Sequence, residues 1–298
     1  MRLDLLHNVS RAALEHAAGP LSVTPEYGTS FASVMGAQAP RECVASAAPL
    51  GGGEPFPVRQ VEKTALPSVE GAEPLSGLRL GDRGPKVARL QKILRKWNSQ
   101  LDVGTPGVYD QRTRDALTLY KAIYGSGSTG QRVDEQTARY LRQMEDGTFW
   151  SNPPAKTPGQ EMLYHASRRL GTPYVMGGDG RRSTDCGMLT KQAMADARMG
   201  SGVSRLADLQ YLSAKQRQGG LSLAKGEPQA GDLVFYRVPT SQSGIAVDGV
   251  THVTMYVGDG LMLGASSGRG RVVLQPTSDL GAYVAGYGRV ANGADQAG

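Results

Sequence analysis

The chain has 298 residues, enough for about two domains. Its hydrophobic share of 39% supports true cores, 40 Gly and 17 Pro announce many turns, and no apolar run approaches the roughly 18 residues of a membrane-spanning helix, which excludes helical membrane insertion. The net charge of +6 is uneven, with −3 over residues 1–75, +6 over 76–145 and +3 over 146–298, so the middle section is the part expected to meet an anionic partner. Charge alone leaves nucleic acid and bacterial wall polymer both open.

Residues 1–75 begin with a short predicted helix, 3–16, in which Asp4, His7 and Arg11 interrupt the apolar stretch of an ordinary export signal. The run GGGEPFPV at 51–58 and the lack of any sustained period predict a mostly disordered segment beyond it. Cys43 lies there and Cys186 far away, so no framework disulfide is expected.

Residues 76–145 read as three helices. Val87, Leu90, Leu94 and Trp97 fall on one stripe behind Pro85, which suits a first turn. Asp110 is placed to cap a second helix with Ala116, Leu117, Tyr120 and Tyr124 on its apolar face, and Gly125 to end it. A third begins at Asp134 and runs through Ala138 to Leu141. Residues 146–160, DGTFWSNPPAKTPGQ, have linker composition, and 292–298 form a tail.

Residues 161–291 predict one α+β domain. A helix through Met162, His165 and Leu170 precedes a Gly-rich loop, a helix starts at Cys186, and another covers about 204–218. Strand-like segments follow: GDLVFYRV, THVTMYVG, LMLGAS, RVVLQP and AYVAGYGRV. Helices first, then short strands between Gly turns, predict an antiparallel sheet with helices on one side.

Cys186 and His252 carry the chemistry. A thiol at a helix N-terminus meets unsatisfied N–H groups and the positive dipole end, an arrangement that lowers its pKa and favours thiolate. An imidazole across a cleft holds such a thiol as an ion pair and later protonates a leaving amine. His165 has no Cys/His neighbours at zinc spacing, so no metal is expected.

Two resemblances rest on these residues. LRLGDRGPKVARLQKIL, PGVYDQRTRDAL and RVDEQTARYL resemble the three-helix peptidoglycan-binding domain found beside wall hydrolases, with Pro106-Gly107 and Tyr120-Lys121 departing from its usual Asp-Gly and aromatic-Gln. Leu-Gly-Thr-Pro-Tyr-x-x-Gly-Gly, Asp-Cys, Gly-Asp-Leu-Val-Phe-Tyr and His-Val-x-x-Tyr-x-Gly-x-Gly, in that order, resemble the NlpC-type papain-like cysteine peptidases of the cell wall. The second resemblance implies Cys186 as nucleophile, His252 as base and a Tyr174 hydroxyl near the thiol. It implies a thioester intermediate, no cofactor, peptidoglycan as substrate, and the D-glutamyl–diamino-acid bond ahead of the sugar–peptide amide.

Two departures bear on it. Gly187-Met188 stand where the family has Ser-Gly, and Gly264 stands where it has a third polar catalytic residue, about 12 positions after the histidine. Ser266 or Gln275 are the candidates to replace that residue, beside a backbone carbonyl or water. A catalytically degenerate wall-binding or assembly protein and an acyltransferase on the same scaffold are the alternatives. The expected place of action is the bacterial wall, reached as a phage lysin, an injected effector or part of a trans-envelope machine, with export machinery or an immunity protein as further partners.

Overall fold

The computed structural model describes residues 74–290, apart from 128, 200, 201 and 242. The predicted helix at 3–16, the segment to residue 73 and the tail lie outside the described residues.

Three helices come first: α1 (Pro85–Trp97), α2 (Gln111–Tyr124) and α3 (Glu135–Asp146). Pro85 occupies the first turn of α1, where its missing N–H costs nothing. The Asp110 carboxylate accepts from the Arg112 and Thr113 N–H groups, Asp134 caps α3 in the same way, and Gly125 ends α2 in the left-handed region at φ 68°. Val87, Leu90, Leu94 and Trp97 are all buried. Gln91, also buried, donates to the carbonyls of Val103, Thr105 and Val108 and accepts from Gly107 N–H, so it braces the turn that contains Pro106.

The second part contains α4 (Pro158–Ser167), α5 (Cys186–Asp196) and α6 (Ala207–Gln216), then a six-stranded antiparallel sheet. Its strands are β1 (Leu221–Leu223), β2 (Leu233–Tyr236), β3 (His252–Gly258), β4 (Leu261–Ser266), β5 (Arg271–Pro276) and β6 (Val284–Val290), in spatial order β1-β6-β2-β3-β4-β5. This is a mixed helical and antiparallel fold. Strand alternation sorts the sheet into two faces. Leu233, Phe235, Val253, Met255 and Leu263 join the core beneath the helices, whereas Val234, Tyr236 and Met262 form a smaller cluster on the opposite face.

Two expectations need correction. The helix expected to reach Leu170 ends at Ser167, and its true start is the reciprocal capping box of Thr157 and Gln160. β1 is too short for its alternation to register, and it exists because β6 offers it a partner. Residues 146–160, of linker composition, are mostly exposed but bury one aromatic ring. Phe149 is 1% exposed and stacks edge-on against Tyr124 and Tyr140. The helical section and the sheet domain share one continuous core. Asn98 Nδ2 donates to Ser167 O (2.8 Å), Arg168 to Trp97 O (2.8 Å) and Gln160 Nε2 to Ala122 O (3.0 Å).

Candidate active site

Cys186 is the first residue of α5, directly behind its N-cap Asp185. The Asp185 carboxylate accepts from Met188 N–H (2.8 Å), Gly177 N–H (2.9 Å) and Arg205 Nη2 (2.6 Å). Arg205 also donates to Gly178 O (3.3 Å), so one guanidinium fastens the Gly-rich loop to the helix start. That loop closes on itself where Val175 N–H donates to Thr184 O and Thr184 N–H to Pro173 O.

Gly187 is required by contact. A Cβ there would sit 2.0 Å from the Arg205 carbonyl, so the Ser usual after Asp-Cys has no room.

α5 packs against β3. The Val253 N–H, one residue past His252, is among the groups that favour the Cys186 thiolate. Sequence reasoning expected the helix N-terminus to lower the thiol pKa, and the structure reverses the sign. Burial pushes Cys186 up to about 11. The Val253 N–H pulls the other way, Asp185 raises it further, and the Gly187 and Cys186 N–H groups offset only part. Burial likewise holds His252 down to about 4. Burial thus disfavours the charged form of each group, the thiolate and the imidazolium alike.

Tyr174 is half-buried, and its hydroxyl pKa is raised by burial and then by the nearby Cys186 and Asp185. Its backbone is pinned by Tyr174 N–H donating to Gly270 O (2.8 Å), and the hydroxyl lies 4.0 Å from Met176 Sδ. The three residues Cys186, His252 and Tyr174 therefore come from a helix start, a strand start and a loop that the β4–β5 turn holds in place.

The imidazole of His252 makes no hydrogen bond among the described residues; its neighbour is the Tyr236 ring, with centroids 5.9 Å apart. Carried one residue past Met255↔Leu263, the β3–β4 register sets Thr254 against Gly264. A Cβ at Gly264 would meet Thr254 Cγ2 at 2.7 Å, in agreement with that pairing. Thr254 thus fills the space in which a side chain at 264 would lie. Its hydroxyl and the Tyr236 hydroxyl are 3.4 Å apart, and the Tyr236 hydroxyl is 3.0 Å from Met262 Sδ.

Ser266 is the last residue of β4, with its Oγ accepting from Arg269 N–H (3.2 Å). Gln275 pairs with Met262, which itself pairs with Tyr256, so it stands four residues along β3 from His252, about 13 Å. Residues that sequence reasoning missed are Arg205, Tyr236 and Thr254. Strand alternation from His252 was a usable signal for Thr254; nothing in the spacing singled out Arg205. Among the described residues no group of three or more His, Cys, Asp and Glu side chains comes together as a metal site.

The NlpC/P60 family model matches residues 171–283, a span that holds Tyr174, Cys186, His252, Ser266 and Gln275. The probable endopeptidase p60 of Listeria monocytogenes is 30% identical over 129 residues, which are 43% of this chain and 23% of that protein. The peptidoglycan endopeptidase RipB of Mycobacterium tuberculosis is 29% identical over 140 residues, covering 43% of this chain and 51% of RipB. The chain thus spans less than a quarter of the first relative and about half of the second. A solved NlpC/P60 family protein from Bacillus cereus is 26% identical, with 47% of this chain and 41% of that one covered at a TM-score of 0.37. The ordered sequence blocks and the family match agree on one statement: residues 171–283 of this chain are an NlpC/P60 family domain.

Proposed function

We propose that this chain is a peptidoglycan hydrolase that cleaves an amide of the stem peptide with Cys186 as nucleophile. The observation that carries the reading is the packing of α5, whose first residue is Cys186, against β3, whose first residue is His252. His252 takes the thiol proton as Sγ attacks the carbonyl carbon, a transfer concerted with the attack because burial favours the neutral form of both groups. The oxyanion is received by the Cys186 N–H at the helix start and by the Tyr174 hydroxyl. The imidazolium then protonates the leaving amine, and water assisted by His252 hydrolyses the thioester. The D-glutamyl–diamino-acid bond is the one assigned. Ser266, at the end of β4, is the candidate to orient the imidazole. Gln275 is set aside on distance.

The helical section, with its net +6, is read as a wall-holding element that raises the local concentration of substrate. Action is assigned to the wall, outside the cytoplasm, on peptidoglycan and not on nucleic acid. A binding protein without turnover is the second reading, favoured by Gly264, which leaves His252 without the family's usual partner.

Mass spectrometry of purified peptidoglycan digested by the chain, with Cys186→Ala as control, tests this. New stem-peptide fragments that the variant does not produce support the peptidase and give the bond from their masses. Absence of fragments while both proteins sediment with the wall favours the binding reading.

A further inference from the structure

The seam between the helical section and the sheet contains a groove of about 390 Å³ that the chemistry above does not use. One wall is β5, the edge strand of the sheet, and the other includes Gln100, Asp102 and Arg112. The outer edge of β5 is only partly covered. Val272 N–H donates to Thr172 O and Gly171 N–H donates to Val272 O, each at 2.9 Å, after which residues 171–174 leave the strand. In an antiparallel edge strand every second residue turns its N–H and C=O outward, so after Val272 the next is Leu274. Its backbone groups have no partner among the described residues.

The start of β5 also borders the loop that carries Tyr174. Pro173 bridges to Arg271, and Tyr174 N–H donates to Gly270 O (2.8 Å). Arg271 is exposed and has no ion pair or hydrogen bond among the described residues, whereas Arg112 is paired with Asp102 (3.5 Å) and Arg269 with Asp279 (3.6 Å). An open strand edge with an unpaired guanidinium at its active-site end fits an extended peptide that carries a carboxylate.

We propose that this groove is a second substrate subsite. It holds an extended, carboxylate-bearing stretch of the wall's peptide along β5, with Leu274 as backbone partner and Arg271 as carboxylate partner, while the scissile amide lies at Cys186. The proposal rests on the peptidase reading and adds the place where the remainder of the peptide is held.

The test uses the full chain carrying Cys186→Ala, ¹⁵N-labelled, titrated with soluble cross-linked muropeptides released from purified wall by a glycosidase. The Leu274 amide is expected to shift together with those of Val253 and Gly187. Arg271→Gln is expected to weaken binding about tenfold, the scale of one charge-assisted hydrogen bond, and Arg271→Lys less. Shifts confined to α5 and β3, with Arg271→Gln binding as tightly as its parent, would overturn the subsite and leave the peptidase reading standing. No shift anywhere would overturn both. A Leu274 amide protected from exchange before any ligand is added would also overturn the subsite, because another part of the chain would already fill it.

Discussion

Arg114 on α2 donates through Nη2 to both the side chain and the backbone carbonyl of Asp259, the central residue of the Gly-Asp-Gly turn between β3 and β4. Thr129 Oγ1 donates to the same carboxylate at 2.8 Å. The Arg114 side chain is only 10% exposed, and Asp259 sits at φ +50°, a region that favours Gly. The helical section therefore grips the tip of the hairpin whose first residue is His252.

Removing Arg114 leaves a half-buried Asp259 carboxylate with only the Thr129 hydroxyl. Arg114→Met is expected to cost about 1–2 kcal/mol, read as a lower denaturant midpoint with an unchanged slope. Combination with Asp259→Gly, which removes the stranded carboxylate and relaxes the turn, should cost less than the two single changes added.

The raised thiol and lowered imidazole predict opposite pH edges of stability. His252 binds its proton less readily when folded, so its contribution is complete above about 6.5 and is lost as pH falls toward about 4. Cys186 holds its proton more tightly when folded, so its contribution is complete below about 9 and is lost as pH rises toward about 11. Denaturant midpoints measured across pH should show both edges. His252→Gln should flatten the acidic one and Cys186→Ala the basic one. Alkylation of Cys186 should correspondingly be slow at neutral pH and climb toward pH 11. A fast reaction at pH 6 would instead indicate the ion pair.

Gly264 and Thr254 should behave as one unit. Gly264→Asn forces a side chain onto the Thr254 methyl, a steric conflict expected to cost about 1–3 kcal/mol. Thr254→Gly alone is expected to lose about 1 kcal/mol of strand stability. Together they should cost less than their sum, because the space is exchanged. If an unpartnered imidazole limits turnover, the double variant should also release stem-peptide fragments faster than the parent chain. Thermal melts and digestion rates of all four proteins decide it.

Gly187→Ser, which restores the usual family residue, should damage this chain. The added Cβ meets the Arg205 carbonyl, a backbone atom that a rotamer change cannot move. A loss of about 2 kcal/mol is expected. Amide chemical shifts should change at Gly177 and Met188, whose N–H groups share the Asp185 carboxylate with Arg205.

Much of the fold was legible in local signals. Pro85, Asp110, Gly125 and Asp134 mark helix ends because capping satisfies backbone groups within a few residues, and the Asp185-Cys186 helix start is of the same kind. Apolar runs between glycine turns located β2 to β6, and the order of the glycine loop, Asp-Cys and His-Val blocks pointed to the family whose model matches residues 171–283. Quantities that depend on what lies across the fold were not legible. The thiol pKa followed burial against β3 instead of the helix dipole, because desolvation is set by every neighbour and not by chain position. The stretch 146–160 had the composition of a linker but packed Phe149 into a core supplied by Tyr124 and Tyr140. Gly187 and Gly264 read as losses in the sequence. Tertiary structure made them necessities, since the Arg205 carbonyl and the Thr254 methyl already occupy the space a side chain would take.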